Sequence, residues 1–152
     1  LSQMGGTWPI DGRQVGVLIS TDISGDTAAA VGKLVDELSA AGTTPLVVAE
    51  KGGTVKLGDK DTPISRTYLT ASSIEFDAVV VVNPPAKTDV DTILGECERH
   101  KKAIVAVGEA GKQALEAARV PADQPGIVAV DTADAAAAPV QELLASHRVW
   151  ER

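Results

Sequence analysis

The sequence predicts an α/β domain whose parallel sheet carries helices on both faces. Three observations lead there. Short apolar runs rich in Val and Ile recur along the chain, without the alternation that a half-solvated strand would show. Most of these runs are followed by a segment whose apolar residues repeat at helical spacing. Strands that alternate with helices in this way need crossover connections, and crossovers join parallel neighbours. At 152 residues and 44% hydrophobic content, the chain has the size of one domain around one core.

Residues 1–12 contain Gly and Pro without periodicity and begin at Leu1 rather than Met. They read as a linker, and the chain as a piece excised from a longer one, with the domain over residues 13–152. The first strand is the run 15–20 (VGVLIS), set between the turn pair Asp11-Gly12 and the loop 22–25. A helix follows from Asp26. Its residues Val31, Leu34, Val35, Leu38 and Ala41 share one face, and Gly42 stands where a left-handed C-cap belongs. Residues 45–49 (PLVVA) form the second strand. The stretch 50–73 is rich in Gly, Asp, Lys and Thr, with turn signals at Gly52-Gly53 and Gly58-Asp59, and predicts a β-hairpin excursion. The run 76–82 (FDAVVVV) is the next sheet strand, ended by Asn83-Pro84-Pro85. A helix then starts near Asp89 with the stripe Val90, Ile93, Leu94 and Cys97. Acids sit at its positive end, and Arg99, Lys101 and Lys102 at its negative end. A strand over 103–107 (AIVAV), an Ala-rich helix over 109–119 and a strand over 126–130 follow. The last helix, over 134–147, has the stripe Val140, Leu143, Leu144 and His147. The expected architecture is flavodoxin-like: a doubly wound parallel sheet in a three-layer α/β/α arrangement, with the hairpin around 50–73 as its excursion.

The formal net charge of −7 argues against nucleic acid and against anionic membrane surfaces, because both select basic patches. No window approaches the roughly 20 consecutive apolar residues of a membrane span. The N-terminal residues have neither a basic start nor an apolar secretory stretch, which points to a cytoplasmic protein. One cysteine and two histidines, far apart, give no disulfide framework and no metal-ligand spacing, so no metal is expected.

In an open α/β sheet, ligands bind beyond the carboxyl ends of the strands, which directs attention to the loops after Ser20, Val82 and Val107. The first loop carries Asp22, Ser24, Gly25, Asp26 and Thr27, and is similar to the hydroxyl-rich loop that holds a flavin phosphate in flavodoxins. Two carboxylates beside a phosphate dianion, and an aromatic content of 3%, stand against a flavin. The other reading is an ordinary helix start capped by Ser24 or Asp26. The second place is the strand-turn-helix at 103–115. It resembles the nucleophile elbow of the class I glutamine amidotransferase-like superfamily, in which PfpI-like peptidases and glyoxalases carry a cysteine directly after the strand. There the sulfur sits beside backbone N–H groups that lower its pKa. In this chain that position is Gly108, which tolerates a strained backbone but supplies no nucleophile, and Glu109 is a first-turn carboxylate. Cys97 lies on an apolar stripe and reads as a buried, inert thiol. The third place is His147. It has no nucleophile to serve as a base and continues the stripe of Leu143 and Leu144, so a packed or interface histidine is expected. His100, at a charged helix end, is expected to be solvated. No catalytic residue is expected, and Gly108 and Glu109 mark a vestigial elbow.

The chain also resembles the C-terminal domain of large-subunit monofunctional haem catalases over nearly its whole length. The matching pieces are DGRQVGVL at 11–18, SIEFDAVV at 73–80, and ERHKKAI at 98–104 leading into Gly108-Glu109. HRVWER at 147–152 resembles the family's terminal His-Arg-x-Trp-x-Arg. The resemblance implies an amidotransferase-like domain fused behind a haem catalase core that disproportionates hydrogen peroxide. Haem and all peroxide-handling residues would belong to that core and none to this domain, and the elbow cysteine is absent from that branch as well. Over 22–26 the chain departs from the shorter Gly-x-Asp turn of the family. The implied partners are the catalase core, a tetramer formed through it, and unfolded client proteins. The implied function is a non-catalytic accessory domain that stabilises its parent, with chaperone-like holding or bordering of the peroxide route as further roles. A small PfpI-like hydrolase or glyoxalase and a flavodoxin-like flavin binder are the alternatives. Trp8 and Trp150 lie outside the periodic elements, beside Pro9 and among Arg148, Glu151 and Arg152. With His147 and Arg148 they are the expected contacts to the rest of the protein, since tryptophan is enriched where one surface anchors another.

Overall fold

A computed structural model describes residues 9–146. In chain order the elements are β1 (Gln14–Leu18), α1 (Gly25–Ala40), β2 (Thr44–Ala49), β3 (Thr54–Leu57), β4 (Lys60–Pro63), β5 (Arg66–Thr67), β6 (Ala78–Val81), α2 (Thr88–Arg99), β7 (Ala103–Val107), α3 (Gly108–Ala117), β8 (Ile127–Val130) and α4 (Ala137–Ser146). The six-stranded sheet has the order β5-β2-β1-β6-β7-β8. Each of its pairings is parallel. With β6, β7 and β8 counted as third to fifth strands, this is the flavodoxin-like order 2-1-3-4-5, extended by β5 at one edge.

The continuous apolar runs have their explanation in the two layers. Successive strand residues point to opposite faces, so a sheet covered on both sides needs apolar residues at every position. Val15, Val17 and Ile19 join Leu34 and Leu38 of α1, Val140 and Leu144 of α4, and Val55 and Leu57 of β3 on one face. Leu18, Val79, Val81 and Ile104 join Ile93, Leu94 and Cys97 of α2, and Leu115 of α3, on the other. Each such side chain, once fully buried, contributes about 1.5–3 kcal/mol of transfer free energy. Gly16 is where the sheet admits a ring: a Cβ there would lie 3.0 Å from Phe76.

The helix stops are chemically uniform. After α1, α2 and α3 the chain turns through a left-handed residue, Gly42 (φ 99°), Lys101 (φ 59°) and Arg119 (φ 60°). The next N–H reaches back to the helix: Thr43 to Leu38, Lys102 to Cys97, Val120 to Leu115. This is the Schellman arrangement, expected at Gly42. It ends α3 at Ala117, two residues short of the expected stop.

β3 and β4 form the expected antiparallel hairpin, with Gly58-Asp59 as the turn between Leu57 and Lys60. It packs along one flank of α1, where a Cβ on Gly32 would lie 2.9 Å from the Leu57 carbonyl oxygen and Lys60 meets Asp36 at 2.8 Å. On the other flank of α1 lie the 3-10 turn Ala133–Ala135 and α4.

Several boundaries differ from expectation for physical reasons. The last helix does not run from 134. A continuous helix would bury Pro139 in its interior, where the ring clashes with a preceding carbonyl. The chain instead makes the 3-10 turn Ala133–Ala135 and restarts at Ala137, which leaves Pro139 in the first turn. The strand expected over 76–82 is shortened because Ser73–Glu75 forms a 3-10 turn, locked by a reciprocal capping box between Ser72 and Glu75. Within the stretch read as hairpin excursion, Arg66 and Thr67 leave the hairpin and pair with β2. From β5 to β6 the chain returns without an α-helix. One turn closes where the Ala71 N–H donates to the Thr67 carbonyl at 2.8 Å, and the 3-10 turn follows. Ser24 occupies the cap position of α1 but makes no side-chain cap bond. Gly25, at φ 61°, bends the chain between that hydroxyl and the free N–H groups.

Candidate functional site

At the carboxyl ends of β6, β7 and β8 lies a cleft of about 390 Å³. Its walls come from the start of α1, the β6 exit at Val82 and Asn83, the β7–α3 turn, and the segment after β8. The short crossovers that converge here are possible because α3 sits close on the sheet. A Cβ on Gly111 would lie 2.8 Å from the Val81 carbonyl oxygen, so only glycine permits that approach.

Gly108 is on the cleft wall, directly after β7 and at the first position of α3, with φ at 64°. The strand and the helix read from 103–115 therefore meet at a left-handed residue. A Cβ there would sit 3.3 Å from the Asp131 carbonyl oxygen. Glu109 lines the cleft as well, in the first turn of α3. The electrostatics are one-sided. Asp26, Glu109, Asp131 and Asp134 all line the cleft, and none of its described lining residues is Lys, Arg, His, Cys or Ser. Such a surface repels phosphate and carboxylate ligands. Its remaining polar groups, Thr27, Asn83 and Thr132, can hydrogen-bond a small molecule, and the groups beside them that could take a proton are the carboxylates, with no histidine or lysine among the described lining residues.

The other sequence-derived candidates lie elsewhere. Cys97 is fully buried in the α2 layer, as its stripe implied. His100 is exposed, as expected at a charged helix end. Its Nδ1 shares a 3.1 Å hydrogen bond with the hydroxyl of buried Ser73, and its Nε2 lies 3.9 Å from Glu96, because the 3-10 turn before β6 packs against the end of α2. Trp8, His147, Arg148 and Trp150 lie outside the described residues. Among the described residues, no three His, Cys, Asp or Glu side chains converge as metal ligands, and no helix is long and apolar enough to cross a membrane.

Sequence reasoning missed a polar group at the carboxyl ends of β1 and β2. Glu50 accepts the Ser20 hydroxyl and the Thr21 backbone N–H, both at 2.8 Å. Partial burial disfavours its ionised form, but the bonds from the backbone N–H groups of Glu50 and Thr21 and from Ser20 outweigh it and hold the carboxyl below its usual value. Nearby, the Tyr68 hydroxyl donates to the Ile19 carbonyl at 2.6 Å. Burial, with the Glu50 charge adding to it, pushes that phenol far up. The group anchors the exit of β1, from which the loop 22–26 leads to the cleft. Its signal was the strand register: Leu18 opposite Val48 puts Ser20 opposite Glu50.

Comparison with known proteins gives two matches. Residues 11–152 match the family described as the C-terminal domain found in long catalases. A catalase of Alkalihalophilus pseudofirmus is 29% identical over 148 residues, covering 93% of this chain. The chain spans 21% of the length of that relative.

Proposed function

Because the chain belongs to the family of C-terminal domains found in long catalases, we propose that it serves as a non-catalytic accessory domain of a haem catalase. The observation that carries this reading is Gly108. The elbow turn is built, at φ 64°, on the one residue type that has no side chain to react. The described residues of the acidic cleft around it include no cysteine, serine, histidine or lysine, which disfavours the hydrolase or glyoxalase alternative. The same carboxylates disfavour a flavin phosphate.

The described residues do not fit haem. The Tyr68 hydroxyl is engaged by the Ile19 carbonyl, Cys97 is buried among apolar side chains of α2, and His100 is held by Ser73 and Glu96 at a helix end. None of them lines the cleft. Haem and peroxide chemistry belong to the core that precedes the domain in its parent, which is also its first partner, with the tetramer formed around that core. Residues 1–12 would serve as the linker. The domain would stabilise the parent, and chaperone-like holding of unfolded proteins or bordering of the peroxide route would extend the same role.

The 152-residue chain should give no Soret band on haem titration and evolve no oxygen from peroxide. Either signal would rule out the non-catalytic reading. Deleting residues 13–152 from the full-length parent should lower the temperature at which peroxide turnover is lost, with turnover per haem unchanged. An unaltered inactivation temperature would rule out the stabilising role.

A further inference from the structure

We propose that Leu69 and Ile74, on the crossover between β5 and β6, form the contact through which the domain packs on the preceding, catalase portion of its own chain. This rests on the reading of the domain as part of a catalase and assigns that reading a surface.

The argument starts from a missing helix. In a doubly wound sheet each strand-to-strand crossover normally lays a helix over the face it crosses. From β5 to β6 the cover is only a single turn and the 3-10 turn Ser73–Glu75. Tyr68 and Phe76 are buried beneath, while Leu46 and Ala71 are only partly covered. Above them Leu69 is 81% exposed and Ile74 79% exposed. They are five positions apart, at most about 17 Å along an extended chain. Their segment is ordered rather than loose: the capping box fixes Ser72 and Glu75, and Glu75 also pairs with Arg66 at 2.6 Å. That pairing offsets Glu75, and the crossover's other acid, Asp77, accepts the Gln14 backbone N–H at 2.8 Å, so in a chain of net charge −7 this surface presents apolar side chains on an ordered segment. Such a surface fits an apolar, uncharged partner patch.

The chain's own path selects the partner. Gln14, the first residue of β1, donates from Nε2 to the Glu75 carbonyl at 2.6 Å. The polypeptide entering the domain therefore arrives beside Ile74. What precedes a C-terminal domain on that polypeptide is the rest of the catalase, of which a domain of this length is about a fifth in the relative. Its covalent proximity gives it an effective concentration that no separate partner matches.

The test uses the full-length parent protein. Leu69→Cys, Ile74→Cys and, as a control on the exposed face of α3, Glu116→Cys are each treated with a maleimide. The first two should label about tenfold or more slowly than the control. A photo-crosslinking residue placed at position 74 should join a peptide of the preceding catalase portion. Labelling at the control rate, or crosslinks only to another copy of this domain, would overturn the proposal. Haem content and peroxide turnover of the same preparations test the underlying reading separately. A parent without either refutes the catalase assignment whatever the labelling shows.

Discussion

Gly111→Ala and Gly95→Ala make the same change inside two helices, and the structure assigns them opposite signs. On helix propensity alone each should gain about 0.5–1 kcal/mol, because alanine loses less backbone freedom on folding. At Gly95, in α2, nothing lies within 4 Å of the added Cβ, so that gain should appear in full. At Gly111 the Cβ would lie 2.8 Å from the Val81 carbonyl oxygen, and 3.0 and 3.1 Å from the backbone carbon and Cα of Ala106. These atoms belong to sheet backbone and its carboxyl-end exits and cannot swing aside, so α3 must retreat and lift Leu115, which is fully buried, from its layer. Overpacking of this kind costs about 1–3 kcal/mol, and rigid neighbours put it in the upper half. The net loss is about 1–2 kcal/mol, which at an m-value of about 2 kcal/mol/M lowers the urea midpoint by roughly 0.5–1 M. Urea unfolding followed by far-ultraviolet circular dichroism measures both variants. A midpoint for Gly111→Ala at or above wild type, with an unchanged m-value, would refute the close approach of α3.

Further expectations concern the polar anchor, the elbow and the termini. Glu50 titrates below its ordinary 4.5, so as pH falls the unfolded chain takes up the proton first, and the stabilisation present above that value is lost through the lower folded pKa. Glu50→Gln should cost about 0.5–1 kcal/mol at pH 7, kept small by solvent screening, and less near pH 3; equal losses at both pH values in urea titrations would contradict the anchor. Tyr68 has its phenol raised above 10.0, so its stabilisation is complete below that pH and declines as pH rises through the folded pKa. Tyr68→Phe should cost about 1–2 kcal/mol near neutrality and flatten the alkaline decline, and thermal melts across that range that keep the wild-type slope would count against it. Gly108→Cys should destabilise by about 1–3 kcal/mol and yield a thiol that reacts with Ellman's reagent in the folded protein, whereas Cys97 reacts only after unfolding. If the thiol introduced at position 108 stays silent in the folded variant, the elbow does not face the cleft. Acrylamide quenching of Trp8→Phe and Trp150→Phe variants should find exposed indoles in this chain and protected ones in the full-length parent; protection of both in this chain alone would refute their role as contacts.

What was legible from residues was what depends on neighbours in sequence. The run FDAVVVV announces a strand covered on both faces, and Gly42 announces a left-handed stop, because each follows from local sterics. Gly58-Asp59 announces a hairpin turn for the same reason. The elbow at Gly108 was readable as strand, turn and helix within a dozen residues. The missed features depend on pairing across the sheet. β5 is two residues long, too short for any periodicity, and exists only because β2 has a free edge for it. Glu50 and Ser20 are thirty residues apart, and only the register between β1 and β2 brings them together. The cleft is acidic because the sheet order gathers carboxylates from α1, α3 and the segment after β8, none of which signals the others in the sequence.

The position of α1 sets where the molecule opens last. With the sheet beneath it, the hairpin along one flank and α4 along the other, its central amides have few routes to solvent short of global unfolding. In native-state hydrogen exchange, the backbone amides around Val31 to Leu38 should therefore form the slowest helical unit, while α2 and α3, which have no hairpin along a flank, exchange through smaller openings. A protease cut in the Gly58-Asp59 turn would remove one wall of that enclosure, and the loss of protection would register first in α1, a helix the cut never touches.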